Sequence, residues 1–475
     1  MLELCKQFFA TLNEQGLRYC HWKSNEHLDK ALLGKTDIDL LVDPADEDLF
    51  CEQLKAFDFK EVLSPSDKQF PGLQDYLGMD QETGRLVHLH VHYRLVLGQK
   101  YIKNHWLPVE RLVLDNLETR MGVRIPAPEV ELLLLIIRAH MKVDFVSLLK
   151  HFVKDLLRQP YTAFPNDIER ELRELAQRTD RDAFSKILDE SRLPVPLGFC
   201  DQFIERFERD RLRSFNILAG HYLLLWRLRG YRRSVSAVTP LLYFKHFIFN
   251  TSIARGIMTP PKKTLPGCGR CISLVGADGA GKSTLIRDLS TWAGWKLETR
   301  VYYYGIPKNA IAAITSTLRR GLRKLGFDSA ARMIADCFWL YVAAYRRNVS
   351  HRIDADLRAG KLVITDRFPL KEFRSMPEPM DNPRIDPARS PLRKRLGAVE
   401  QRHYEAIREP DRIIVLKVDL EELRRRKSDL LAESHRLKAE AVNAVEASDS
   451  RIVVDGSQPY DTVLLAAKRA LWGAL

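Results

Sequence analysis

The chain has 475 residues, more than the roughly 250 to 300 at which a single hydrophobic core stops growing, so two or three domains are expected. Its 45% hydrophobic and 29% charged residues run the whole length with no Pro/Ser-rich or Gly/Ser-rich tract, which excludes a largely disordered protein. A formal net charge of +13 calls for acidic partners, and a nucleoside triphosphate, a phosphorylated metabolite, a nucleic acid and an anionic membrane face all answer to it.

The opening Met1-Leu2-Glu3-Leu4-Cys5-Lys6 leads into an amphipathic helix expected over about Leu2 to Gln15. Its internal charges break the apolar core that a signal peptide needs, so the expected location is cytoplasmic. Seven scattered cysteines, an odd number, fit reduced thiols better than a disulfide framework. Cys268 and Cys271 form a CxxC, but no second Cys or His pair stands at metal spacing from it.

Gly34-Lys35-Thr36-Asp37-Ile38-Asp39-Leu40-Leu41-Val42 predicts a strand over Ile38 to Val42 with carboxylates at i and i+2. Alternate strand residues share a face, which makes Asp37 and Asp39 candidate ligands for a divalent metal. A helix near Glu47 to Ala56 and an alternating strand Leu86 to His92 complete a small α+β domain over 1–125. On the later strand His88, His90 and His92 also share a face, where a softer metal would fit or where strand histidines simply pack.

Lys23-Ser24, the Asp37/Asp39 pair and the histidine strand together resemble the nucleotidyltransferases of the DNA polymerase β superfamily. In that family a Gly-Ser or Gly-Gly pair at a helix start precedes the two carboxylates, and a third carboxylate on a later strand completes a two-metal site. Here Lys23 replaces the glycine that lets backbone approach phosphate, and His90 replaces an Asp, a poorer ligand for Mg²⁺. The resemblance implies a nucleotidyltransferase-like fold, with nucleotidyl transfer and a substrate-binding or regulatory role both open.

From Pro126-Ala127-Pro128-Glu129 a strongly apolar helix is expected through Leu132 to Ile137, with helical patterns continuing to about Phe249 as a connector over 126–257. The stretch Val235 to Asn250 is apolar but carries Lys245 and His246 and falls short of the ~20 residues a bilayer span needs. Its neighbours Arg227, Arg229, Arg232 and Arg233, beside Trp226 and Tyr231, suit a packed helix with a basic edge or a peripheral membrane contact. A breaker-rich linker is expected over 258–269.

Cys271-Ile272-Ser273-Leu274-Val275 reads as a buried strand running into Gly276-Ala277-Asp278-Gly279-Ala280-Gly281-Lys282-Ser283-Thr284 and then an apolar helix. This is GxxxxGKS in strand, loop, helix context. Gly276, Gly279 and Gly281 let backbone N–H groups curl around a phosphate, Lys282 reaches the β/γ oxygens, and Ser283, followed by Thr284, offers a hydroxyl to Mg²⁺. Downstream, Lys361 to Asp366 predicts a parallel strand ending in a carboxylate, a second candidate for the metal, followed by Arg367. Another strand is expected at Ile413 to Leu416, then a basic helix start with Arg424, Arg425 and Arg426.

The segments GADGAGKST, the strand ending in DRF and PDRIIVLKVDLEELRRR resemble thymidylate kinases and the nucleoside and nucleotide kinases around them, over about the last 205 residues. The resemblance implies a doubly wound parallel-sheet P-loop domain over 270–475 that binds ATP and Mg²⁺ through Lys282 and Ser283. It also implies that Asp278 faces the acceptor, that Asp366 and Arg367 serve metal and acceptor, and that Arg424, Arg425 and Arg426 belong to a lid. The family's Arg-Glu-Pro-Gly-Gly signature is replaced by Val301-Tyr302-Tyr303-Tyr304-Gly305-Ile306-Pro307, so thymidine monophosphate is not the expected acceptor. Met380 to Ile385 and the basic cluster Arg389 to Arg395 either shape another acceptor site or form a solvated lid. The expectation is an α/β multidomain kinase transferring phosphoryl from ATP to a small, anionic acceptor. The alternatives are nucleotidyl transfer by the first domain and nucleotide occupancy acting as a signal without catalysis. No nucleic-acid recognition module is visible.

Overall fold

The computed structural model describes residues 1–98, 102–143, 164, 166–209, 212–233, 241, 244, 248, 260–375, 380–426 and 433–475. The chain divides into two compact units, Met1–Val62 with Ser66–Pro260, and Leu63–Pro65 with Pro261–Leu475. Most of Val235 to Asn250, expected as an apolar stretch near a basic edge, lies outside the described residues. Among the described residues no helix is long and apolar enough to cross a membrane.

In the first unit, strands β1 (Tyr19–His21), β2 (Ile38–Val42), β3 (Lys60–Val62), β4 (Leu73–Met79) and β5 (Leu86–His92) form one sheet in the order β1-β2-β5-β4-β3. β2 and β5 run parallel and the other neighbours antiparallel. Alternation decides what each face buries: Val87, Leu89 and Val91 pack with Phe8, Phe9 and Leu12 of the helix Glu3–Glu14, which leaves His88, His90 and His92 on the opposite face. Two further hairpins follow, β6 (Leu95–Leu97) with β7 (His105–Leu107) and β8 (Leu117–Arg120) with β9 (Val123–Pro126).

The helix Pro128–Met141 is buried almost all round, so it needs cover on every side. It shares a core with Cys20 and Leu41 of the sheet, with Trp22 just after β1, and with the helices Asn166–Arg178, Arg181–Ser191, Leu197–Glu208 and Ser214–Arg227. The described residues of the segment expected as a connector are thus packed into the same unit as the sheet, and no break in packing falls at residue 125. The expected linker is likewise structured from 260 onward. Thr264 exchanges backbone hydrogen bonds with Leu63, Lys263 with Lys296 and Glu298, and Leu265 donates to Gly360.

In the second unit, β10 (Arg270–Gly276), β11 (Thr299–Tyr303), β12 (Leu362–Asp366), β13 (Arg412–Lys417) and β14 (Arg451–Asp455) form a wholly parallel sheet in the order β11-β12-β10-β13-β14. The near-continuous apolar runs of β10, β12 and β13 suit a parallel sheet covered on both faces. Cys271, Val275, Val363 and Val415 pack with Val349, Ile353 and Leu357 of the long helix Asp328–Arg358. The chain passes from β10 to β11 and back to β12 on one side, then crosses to β13 and β14 on the other. That reversal opens a crevice at the carboxyl ends of β10 and β12.

Candidate functional site

β10 ends in Gly276, a short loop follows, and the helix Lys282–Ala293 begins. Gly279 and Gly281 take φ of 89° and 92°, a region in which a Cβ is strained. A Cβ on Gly276 would stand 3.1 Å from the Leu416 carbonyl oxygen and 3.3 Å from Lys282 Cδ, so close packing demands the missing side chain there. Lys282 is only 7% exposed, and its ammonium donates to the Gly276 and Ala277 carbonyls at 2.9 and 2.7 Å. Burial, helped by the nearby Arg367 charge, lowers the pKa of Lys282.

Asp366 closes β12 and lines the same cavity as Lys282, Ser283 and Thr284. A hydrogen bond of 2.6 Å between Ser273 and Thr365 hydroxyls ties β10 to β12 just below it. The Oδ1 atom of Asp366 is buried with no hydrogen-bond partner among the described residues. Burial pushes the carboxyl pKa up, against the pull of Lys282 and Arg367. A buried carboxylate oxygen with no donor costs about 1–3 kcal/mol or more, and a cation beside it would remove that cost. Together with the Ser283 hydroxyl on the same cavity, this donor set fits Mg²⁺, a hard ion that takes oxygen ligands.

Arg367 follows with φ 76°, unusual for a residue with a side chain, and its N–H donates to Leu274 at 3.0 Å. Its guanidinium donates to Asp278 at 2.7 Å and lies 3.5 Å from Asp381. Asp381 in turn accepts from Arg346 at 2.7 Å, and Lys438 stands 4.0 Å from Asp278. The result is an alternating row of charges, Arg346, Asp381, Arg367, Asp278. Burial favours the neutral form of Arg367, but Asp381 and Asp278 outweigh it and raise its pKa. Burial likewise opposes the Asp278 charge, and Arg367 with Lys282 outweighs it, holding that carboxyl below its ordinary value.

The cavity measures about 930 Å³, and Tyr303, Pro307, Lys308, Asn309 and Tyr345 complete its wall. Sites for small molecules commonly span ~300–1,000 Å³, so the space is of small-molecule size. The structure therefore gathers Asp278, Gly279, Gly281, Lys282, Ser283, Thr284, Asp366 and Arg367 around one space, with Gly276 beneath Lys282. Arg424, Arg425 and Arg426 do not line it. Arg425 and Arg426 pair with Glu422 at 2.8 Å, and Arg426 also donates to the Gly456 carbonyl. In the basic cluster, Arg393 pairs in bidentate fashion with Asp336 at 2.8 Å and Arg389 with Asp386 at 2.9 Å.

Sequence reasoning reached Tyr303 only as part of the Val301–Pro307 segment and did not single out Lys308, Asn309, Tyr345 or Arg346. No motif marks them; they arrive from the end of β11, the following loop and a helix some forty residues on. Arg346 carried one signal, a charge pair inside an otherwise apolar stretch of helix.

The other metal candidates lie in the first unit. Asp37 Oδ1 is 2.9 Å from His88 Nδ1, while Asp39 Oδ1 is 2.7 Å from Lys23 Nζ and 3.2 Å from His90 Nδ1. The two carboxylates are engaged by different histidines, and among the described residues the group with metal-ligand spacing is Asp39, His90 and His92, without Asp37. The CxxC cysteines join no such group among the described residues. Cys268 Sγ donates to Leu357 and burial pushes the Cys271 thiol up to about 12.

No family model matches the chain. It is similar to a protein of Escherichia coli strain K12, the uncharacterized ATP-binding protein YghR. The identity is 26% over 239 residues, covering 46% of this chain and 93% of that protein. The same protein from Escherichia coli O6:H1 matches with the same figures. Among solved structures, the thymidylate kinase of Candida albicans aligns at 20% identity and a TM-score of 0.26, covering 40% of this chain and 84% of that one.

Proposed function

We propose that the second unit binds ATP with Mg²⁺ at the Gly276–Thr284 loop and transfers the terminal phosphoryl group to a small anionic acceptor in the same cavity. The observation that carries this reading is Asp366. Its buried Oδ1 lacks a donor beside a glycine loop that already gathers the Lys282 ammonium. The similarity to a protein named as ATP-binding supports the nucleotide half of the proposal.

Ser283 and Asp366 would hold the metal, which when bound neutralises charge on the phosphate oxygens. Loop N–H groups at the helix start receive the phosphates, with the helix dipole adding to the attraction. Lys282 exchanges its two loop carbonyls for phosphate oxygens. Arg367, kept charged by Asp278 and Asp381, orients the acceptor's anionic group and stabilises equatorial charge as the phosphoryl group moves. Tyr303 and Tyr345 offer ring faces and Lys308 a further charge for acceptor selection. No observation favours nucleotidyl transfer by the first unit, where Asp39 is engaged by Lys23 and Asp37 by His88.

The test is ADP release from ATP and Mg²⁺ against nucleoside monophosphates, nucleosides and sugar phosphates. Release that needs both an acceptor and Lys282 supports the proposal and names the acceptor class. Absence of ADP with every acceptor, or release unchanged in Lys282→Ala, overturns it.

A further inference from the structure

The histidine face of the first sheet is not used by phosphoryl transfer, and it holds a cluster of its own. Asp39, His90 and His92 each offer one ligand atom, and these atoms all lie within 4.8 Å of one another. From these residues we infer that the first unit carries a site for one zinc-class divalent cation, ligated by Asp39, His90 and His92.

The two separations from Asp39 suit the ion. Asp39 Oδ1 is 3.2 Å from His90 Nδ1 and 3.7 Å from His92 Nε2. A tetrahedral ion with bonds of about 2.0–2.1 Å holds its ligand atoms roughly 3.3 Å apart. The scaffold is rigid: β2 and β5 are parallel neighbours in which Asp39 sits directly opposite His90, and the period of two puts His92 on the same face. His92 is 2% exposed, yet its Nε2 has no hydrogen-bond partner among the described residues. A buried ring nitrogen without a hydrogen-bond partner, 3.7 Å from a carboxylate oxygen, is a ligand atom that an ion between the two would satisfy.

The surroundings are those of an oriented ligand set. The other ring nitrogen of His90 faces Asp75 at 3.8 Å, and the Trp22 ring meets His92 edge-on at 5.1 Å. Two imidazoles with one carboxylate select zinc or a similar transition ion over Mg²⁺, which prefers all-oxygen shells. Three protein ligands leave a fourth position open, as in catalytic rather than structural zinc sites. Lys103 and Lys142 lie within electrostatic range of Asp39, so an anionic oxygen suits that position. Lys23, with Nζ 2.7 Å from Asp39 Oδ1, supplies the positive charge that the ion displaces, and its long stem lets it withdraw.

The experiment uses the full chain, stripped with chelator and dialysed against Zn²⁺, with metal content read by mass spectrometry and affinity by competition with a chromophoric chelator. One equivalent is expected. Asp39→Asn and His90→Gln should each weaken binding by at least about tenfold. Lys23→Met should tighten it by a similar factor, because the competing ammonium is gone. Replacement by Co²⁺ should give the intense visible bands of a tetrahedral ion. Circular dichroism checks that each variant folds, and Lys23→Met removes no ligand, so it tests the inference even if a ligand variant fails to fold. Less than one equivalent, binding unchanged in Asp39→Asn, or binding unchanged in Lys23→Met would overturn the assignment.

Discussion

At Lys282 a buried ammonium rests on two carbonyl oxygens, dipoles rather than a full counter-charge. Burial and the Arg367 charge both disfavour its protonated form, so arriving phosphate oxygens improve its surroundings. Lys282→Ala is therefore expected to lower the rate of ADP release by about 10²–10³-fold or more, the loss typical of one preorganised electrostatic group. A coupled ADP assay at saturating acceptor checks it. Asp366 acts on a different variable. With one carboxylate oxygen replaced by an amide nitrogen in Asp366→Asn, the charge that holds the metal is lost and the Mg²⁺ concentration for half-maximal turnover should rise by about tenfold or more. An unchanged Mg²⁺ dependence would remove Asp366 from the metal site.

At the scale of elements, the long helix Asp328–Arg358 carries Arg346 into the interior at 2% exposure. There its guanidinium donates to the Tyr304 carbonyl at 2.6 Å, to the Tyr404 hydroxyl and to Asp381. Removing one partner of a buried pair is strongly destabilising, and Arg346→Met would leave Asp381 with Arg367 alone and the Tyr304 carbonyl without its donor, so the second unit should lose about 3 kcal/mol in urea titrations. It should also lower turnover, because Asp381 would no longer be held against Arg367. The charge pair marks Arg346 in the sequence, but its partners are not legible there, since Arg346 and Asp381 are 35 positions apart and no local pattern links them. The elements with a local pattern were legible. The strand Ile38–Val42 and the helix Glu47–Ala56 occupy the expected residues because alternation or an apolar stripe marks both, and the phosphate loop follows from its glycines and the flanking apolar runs. The helices after residue 126 were recognised as helices but not as part of the first unit's core. An apolar stripe says that a surface is covered, not by what, and only the fold brings Leu133 and Ile137 to the same core as Trp22. The same limit hid the difference between Asp37 and Asp39, equivalent on the strand but paired with His88 and Lys23 across it.

At the scale of the whole molecule, two units with their own cores should respond to different variables. On the proposed function, ATP with Mg²⁺ binds the second unit, and at a hundred times its dissociation constant it should stabilise that unit by about 2.7 kcal/mol. The first unit should instead be sensitive to acid. Burial pushes His105 and His140 each down to about 4, and it lowers His21 and His221 as well. Between pH 6.5 and 4 these histidines bind protons in the unfolded chain but not in the native one, so their contribution is present above pH 6.5 and is lost as pH falls through that window. Glu131 works in the opposite direction, because burial and Glu171 push its carboxyl up to about 8 and the native state keeps a proton that the unfolded state has released. His105 and His140 alone outweigh that one group, and each net proton changes stability by about 1.4 kcal/mol per pH unit. Scanning calorimetry is expected to show two transitions. One should move up with ATP and Mg²⁺, and the other should fall in temperature on going from pH 7 to pH 5 and stay indifferent to nucleotide. If both transitions rise with nucleotide, or if the nucleotide-insensitive one gains stability in acid, the assignment of these buried charges to separately stabilised units is wrong.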